Sequence, residues 1–455
     1  MSKIVKLRDL QLGQVTVRGW IEKLTPLKKF SFITLRDGVG KDCHVQVVIP
    51  QAVGEQVKLV IESYVEIEGT VRSLPETARS FRSVELEASK ITVLGESTPE
   101  FSAKCPADAV GPGGVILPGA GPDVKLAERH IYIRDPKFAL MTKLRAVLVD
   151  AMRQWFRDTD STEIFPPSFV GNQCEGGSTL FKLDYPAKDK GDIPAYLSQS
   201  SQFYLEYALP GIGDCFCIAP SFRAERSHTR RHLTEFLHAE CEWSGILTLE
   251  DHLEKLRSLV IGTVTYFLSY GRKYLDELGL TARVELLLKM CADIKVVTHR
   301  DAIEYCRTHD IYKDAETKTH FDYTDDIPEA QERRMIDEMD KIVFLVRFPR
   351  GFKSFYMQKA EDPEYVLGCD VEVPGVGEVV GSGVRVYDSQ ELKDRLKEQG
   401  LKEDEYCEYI ELRKFGSGRT SGMGLGVDRF LTWLLGTHSI REVVTFPRYP
   451  GHLFP

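Results

Sequence analysis

Residues 221–242 read SFRAERSHTRRHLTEFLHAECE. Apolar strand-like ends flank a middle that holds Arg223, Arg226, Arg230, Arg231 and His232, four arginines and a histidine within ten positions. Glu225, Glu235, Glu240 and Glu242 are interleaved with them. A strand–basic loop–strand hairpin of this kind can fold over a triphosphate. Arginine presents forked donors to phosphate oxygens, and an aromatic such as Phe236 can lie against a flat base. A surface hairpin with paired charges is the competing reading, and the density of basic residues argues against it.

Two later segments supply what such a hairpin would work with. Residues 369–385, CDVEVPGVGEVVGSGVR, place Asp370 and Glu378 on either side of a Pro-Gly turn. On adjacent strands the two acids could hold a magnesium ion, which prefers carboxylate and phosphate oxygens together. Two exposed strand-end acids would give the same pattern. Residues 417–430, SGRTSGMGLGVDRF, bring glycines at 418, 422, 424 and 426 up to a helix. Such glycines let backbone approach a ligand or another element closely. A helix start near Gly426 favours anions, with Arg429 projecting from the first turn.

Outward from these motifs the chain divides. Residues 15–94 contain five short strands: Val15–Ile21, Phe30–Leu35, His44–Ile49, Tyr64–Val71 and Val84–Val93. That count, with glycine-bearing turns, predicts a small barrel of the oligonucleotide-binding type. Residues 95–124 are dense in proline and glycine without a period and read as a linker. Beyond them, Phe138–Asp158 is an amphipathic helix, and Glu163–Pro167 reads as a strand entering a proline-stopped bend. Strands are expected at Ala195–Leu197, Asp214–Ala219, Leu237–Trp243, Ile342–Phe348, Ser354–Gln358, Gly368–Val373 and Gly377–Val386. Helices are expected at Glu250–Tyr270, Asp301–Arg307, Pro328–Met339, Ser389–Glu398, Glu403–Phe415 and Gly426–Leu435. No regular crossover helices join the strands, so the class is α+β, with a mixed or antiparallel sheet flanked by helices. The expected division is a barrel at 1–97, a hinge at 98–128 and a large domain at 129–455.

Composition bounds the rest. A chain of 455 residues with 42% apolar and 28% charged residues buries a sizeable core. No apolar run is long enough to cross a membrane, and the N-terminus lacks a signal-peptide block, so a cytoplasmic protein without a membrane partner is expected. The ten scattered cysteines fit reduced, mostly buried thiols better than a metal site. The net charge of −9 speaks against nucleic acid, but residues 1–41 carry nine Lys/Arg against three acids. A basic face at one end suits a docking polyanion.

Together these segments resemble the signature motifs of class II aminoacyl-tRNA synthetases. The first motif would be the Phe138–Asp158 helix with the strand ending at Pro166, which in that class forms the interface of a homodimer. The second runs from Phe222-Arg223-Ala224-Glu225 to Phe236, and the third is Gly424-Leu425-Gly426-Val427-Asp428-Arg429. Asp428 stands where the family usually has Glu, and Thr420-Ser421 where relatives often have His-Gly. The order of barrel, hinge and catalytic domain is similar to the aspartate, asparagine and lysine subgroup. The resemblance implies ATP and Mg2+ as cofactors, and ATP contacts from Arg223, Glu225, Arg231, His232, Phe236, Glu378, Gly426 and Arg429. Arg223, Glu225, His232 and Arg429 would act on the reacting phosphates, and Asp370 with Glu378 would hold the metal. It further implies an anticodon-binding barrel. Phe32 and Gln46 match residues that stack on and hydrogen-bond to a central anticodon uridine, with Arg18 on the same surface.

Within the subgroup, an aspartate site needs a cation against the side-chain carboxylate. Aspartate enzymes carry a Lys three residues after the second Gln of a Gln-Ser-Pro-Gln segment. Here Gln199-Ser200-Ser201-Gln202 leads to Leu205. That departure is similar to the asparagine branch, as are Glu175–Lys182, Ile327–Ala330 and Lys353–Met357. The partners implied are L-asparagine, ATP and tRNA(Asn). Arg385 would donate to the carboxamide oxygen, and Glu240 is the expected acceptor for its nitrogen. Glu175, Ser178, Gln199 and Gln202 would hold the rest of the amino acid. An aspartate enzyme, with Arg385 alone on the carboxylate, stays open, as does a synthetase-like enzyme making a small amide.

Overall fold

The computed structural model describes residues 4–454 except 76, 78–79, 99–100, 102–120, 172–179, 189–190 and 228. Most of the expected hinge, together with Glu175 and Ser178, lies outside the described residues. By packing the chain falls into two units.

The first unit holds β1 (Gly13–Pro26), β2 (Phe30–Arg36), β3 (His44–Pro50), β4 (Tyr64–Ser73) and β5 (Val84–Gly95), closed in the order β1-β2-β3-β5-β4. Alternation builds it. Val17, Ile33, Leu35, Val45, Val47, Val65, Ile67 and Leu86 point inward and are buried, while the intervening polar residues face out. All five strands lie where the sequence places them.

The second unit is built on β6 (Thr162–Glu163), β7 (Phe169–Val170), β8 (Lys182–Ala187), β9 (Gly191–Leu197), β10 (Cys215–Phe222), β11 (Glu235–Ser244), β12 (Lys295–Thr298), β13 (Val343–Pro349), β14 (Tyr365–Val373), β15 (Gly377–Val384) and β16 (Thr420–Gly426). Eight of these strands form one sheet in the order β12-β13-β14-β15-β16-β11-β10-β6. The β12–β13 and β10–β6 pairs are parallel and the others antiparallel. A smaller sheet has the order β7-β9-β8. The long helix Leu249–Leu278 buries a stripe that includes Leu253, Leu256, Val260, Val264 and Phe267. The helix Val427–Leu435 is buried on nearly every side.

The structure departs from the sequence expectations in several places. Thr420–Gly426 is not a loop before the helix but a strand in the middle of the sheet. Residues 354–358 form no strand and contribute one bridge, Met357 to Arg385. Of the expected segment Glu163–Pro167, only Glu163 belongs to a strand, and Ile164 donates its N–H to the Phe216 carbonyl at 2.8 Å. Helices at Gln202–Ile212 and Thr281–Cys291 were not expected. The first contains Pro210 and the second a weak apolar stripe, so neither carries a clear periodic signal.

Candidate active site

Strands β10 and β11 are the two arms of the arginine hairpin, paired from Phe222–Glu235 to Cys215–Glu242. Side chains alternate across a strand, so His238, Glu240 and Glu242 share the face of β11 that looks into a cavity. Beside it β16 pairs Glu240 with Gly424 and Glu242 with Gly422. The glycines make room. A Cβ on Gly424 would lie 2.4 Å from His238 Nε2, and one on Gly422 would lie 2.0 Å from Glu242 Oε1. The glycine-rich run therefore forms a bare floor on which acidic and imidazole side chains lie.

The cavity brings together Gln202, Leu205, Arg223, Glu225, Arg231, His232, Phe236, Glu240, Asp370, Glu378, Arg385, Gly426 and Arg429. These are sites that the sequence placed more than 200 residues apart. Gln199 is buried and does not line it. At one end lies the hairpin loop, where the Arg223 guanidinium sits over the Phe236 ring, 5.5 Å from its centroid. Arg231 pairs with Glu329 at 3.1 Å. Arg429 donates to the Glu378 carbonyl at 3.2 Å, and its guanidinium lies 3.5 Å from the Glu378 carboxylate. His232 is pushed down to about 4 by burial and by the neighbouring Arg429 and Arg231 charges. It is a neutral imidazole at pH 7.

Asp370 on β14 and Glu378 on β15 converge over Gly381. A Cβ there would come 3.0 Å from Glu378 Oε1 and 3.9 Å from Asp370 Oδ1. Burial pushes Asp370 up to about 6 against the pull of Lys353, with Glu378 adding to the rise. Two hard oxygen ligands crowded over a missing side chain fit a divalent cation shared with phosphate oxygens. Lys353, a residue that sequence reasoning did not single out for this site, binds the other Asp370 oxygen. Asp428, the departure in the third motif, is buried and binds Arg145, Nε to Oδ1 at 2.6 Å and Nη2 to Oδ2 at 3.2 Å.

At the other end Arg385 is 4% exposed. Glu240, expected as the acceptor for a carboxamide nitrogen, lines the cavity and already accepts from the Ser200 hydroxyl and from the Ser201 N–H at 2.9 Å. The acid against Arg385 is Glu242, which accepts from Arg385 Nε at 3.0 and 3.2 Å and from Nη2. Burial pushes the Glu242 carboxyl up to about 8 against Arg385, with Glu206 adding to the rise. Leu205 is fully buried beside Cys215 and Cys217. Glu206, Tyr409 and Arg413 complete this end, and no sequence motif announced them.

On the barrel, Phe32 and Gln46 lie on the outer face of β2 and β3, two rungs apart (Thr34–Gln46, Phe32–Val48). Arg18 lies farther along β1, bound to Glu66 at 2.8 Å. Phe165 beside Pro166 is 87% exposed.

This geometry suits a polyanionic nucleotide at one end of a sheet-floored cavity and a small polar molecule against a buried guanidinium at the other. That is the task of a class II-type ligase. Residues 121–450 match the family described as tRNA synthetases class II (D, K and N), and residues 15–94 match the OB-fold nucleic acid binding domain. The chain belongs to the class II tRNA synthetase family (D, K and N). It is 36% identical over 469 residues to the cytoplasmic asparagine–tRNA ligase of Debaryomyces hansenii, covering 100% of this chain and 80% of that relative. To the cytoplasmic asparagine–tRNA ligase of Homo sapiens it is 36% identical, covering 100% and 79%. The asparaginyl-tRNA synthetase of Pyrococcus horikoshii complexed with asparaginyl-adenylate superposes over 100% of both chains with TM-score 0.85 and 32% identity.

Proposed function

We propose that the chain activates L-asparagine with ATP and transfers it to tRNA(Asn). The asparagine carboxylate attacks the ATP α-phosphorus and pyrophosphate leaves. The terminal 3′-hydroxyl of the tRNA then attacks the asparaginyl-adenylate and AMP leaves. The observation that carries the substrate choice is the buried Arg385 facing Glu242 where Leu205, and not a lysine, borders the cavity. An aspartate carboxylate would meet one cation already held by an acid. A carboxamide meets a donor at no such cost. The named activity of the full-length relatives supports the same choice.

Arg223, its guanidinium over the Phe236 ring, would meet the α-phosphate, and Phe236 would face the adenine. His232 and Arg429 would meet the terminal phosphate, and Gly426 opens the helix whose first turn carries Arg429. Glu225 lines the same cavity. Asp370 and Glu378 would hold Mg2+, which would neutralise phosphate charge. These groups position and stabilise charge, so no protein base is required. The exposed Phe165 at Pro166 supports pairing of two such chains, and the outward Phe32 and Gln46 support anticodon contact. The cytoplasmic names of the relatives support that compartment.

ATP–pyrophosphate exchange tests the reading. Exchange with asparagine should exceed that with aspartate by at least about tenfold in kcat/KM, the scale of one unpaired charge contact. Faster exchange with aspartate would overturn it.

A further inference from the structure

We propose that Glu206, outside every motif, is the positioning residue that gives the amino-acid end of the cavity its preference for a carboxamide over a carboxylate. The inference rests on the asparagine reading above.

Glu206 is 3% exposed, on the helix Gln202–Ile212 one turn beyond Gln202. Its Oε1 accepts from Gln202 Nε2 at 2.9 Å and from the Tyr409 hydroxyl at 2.6 Å. Its Oε2 accepts from Arg413. Arg413 also donates through Nε to the Val386 carbonyl at 2.9 Å, next in the chain to Arg385. Arg385 Nε lies 3.9 Å from Glu206 Oε1. The carboxyl is drawn down against its burial by Arg413 and Arg385. It is therefore a carboxylate, and a carboxylate only accepts.

Two consequences follow for the substrate. First, Gln202 must turn its NH2 toward Glu206, so its carbonyl oxygen is the atom left for the cavity that Gln202 lines. That oxygen accepts from an N–H and repels a carboxylate oxygen. Second, Arg385 already donates to the Glu242 carboxyl and faces the Glu206 carboxylate before any ligand enters. A further carboxylate would compete for one guanidinium, whereas a carboxamide oxygen takes a free N–H. The second effect acts at the side-chain end, so it changes the choice between substrates.

The experiment compares pyrophosphate exchange with asparagine and with aspartate in Glu206→Gln. The amide keeps the shape, removes the charge and lets Gln202 present its NH2. The ratio of kcat/KM for asparagine over aspartate should fall at least about tenfold, with aspartate use rising. A purely structural role would lower both substrates in parallel and leave the ratio unchanged, which would overturn the proposal. Tyr409→Phe, which removes one hydroxyl from the same oxygen, should lower the ratio about threefold, within the range of one hydrogen bond. It decides the matter if circular dichroism shows Glu206→Gln unfolded, and an unchanged ratio there overturns the proposal. Wild-type exchange that favours aspartate would refute the asparagine reading itself, separately from Glu206.

Discussion

Gly422 owes its identity to Glu242. A Cβ at that position would lie 2.0 Å from the Glu242 carboxylate and 2.5 Å from the Cys241 carbonyl, and backbone cannot yield as a side-chain tip can. Gly422→Ala must therefore push Glu242 off Arg385 and leave a buried guanidinium without its partner. Breaking such a pair costs about 3–5 kcal/mol. The urea-unfolding free energy should fall by about that amount, and asparagine-dependent exchange should be lost. Near-wild-type stability would show that the floor tolerates a methyl group. The same spot shows what sequence reading sees and misses at this scale. Glycines 422 and 424 were legible as a place of close approach. What approaches was not, because the neighbour is supplied by β11 across the sheet. Likewise Glu240 and Glu242 share a face by alternation, and only the register between β11 and β16 decides which of them meets Arg385.

His252 ties three elements together. It lies fully buried on the helix Leu249–Leu278, with Nδ1 2.9 Å from the Ser421 hydroxyl of β16 and Nε2 2.9 Å from the Ser382 hydroxyl of β15. Ser382 gives its proton to the Cys369 carbonyl, so Nε2 carries the hydrogen and Nδ1 accepts. Burial, with the Arg385 charge adding to it, pushes the imidazole down to about 3. The folded pKa lies below the unfolded value of 6.5. The unfolded chain therefore binds the extra proton, and stability is full above that pH and lost as pH falls from 6.5 toward 3. The slope from this group alone is about 1.4 kcal/mol per pH unit. Urea titrations at pH 6.5, 5.5 and 4.5 should show it, and His252→Gln, which can keep both serine contacts, should make the slope shallower by roughly 1 kcal/mol per unit. Equal slopes would mean that His252 charges without opening the fold. At this scale elements with a clean period were read correctly, from the barrel strands to the long helix. Thr420–Gly426 was not, because three glycines in seven residues carry no strand preference. It is a strand because β11 and β15 pair with it from both sides.

In the whole molecule no catalytic residue proposed above lies on the barrel, so the two proposed tasks are separable. Phe32 makes an edge contact with Phe30, with ring centroids 5.1 Å apart, and keeps part of its ring on the outer face. Gln46, two rungs away, has its amide 3.3 Å from Glu85, a weak contact that a base edge can replace. The fold of the barrel does not need the Phe32 ring, because its core is the inward set from Val17 to Leu86. Phe32→Ala should therefore leave the melting temperature within a few degrees of wild type, as expected for a surface change. Stacking on an aromatic contributes about 1–3 kcal/mol per base. The kcat/KM for tRNA in charging should thus fall by roughly 5- to 150-fold. Pyrophosphate exchange, which needs only ATP and the amino acid, should keep its wild-type rate. Running both assays on one preparation separates the outcomes. Loss of both activities would place Phe32 in the fold and not in recognition. Full charging would move the anticodon contact to another face of the barrel, with Arg18 and its partner Glu66 as the next residues to replace.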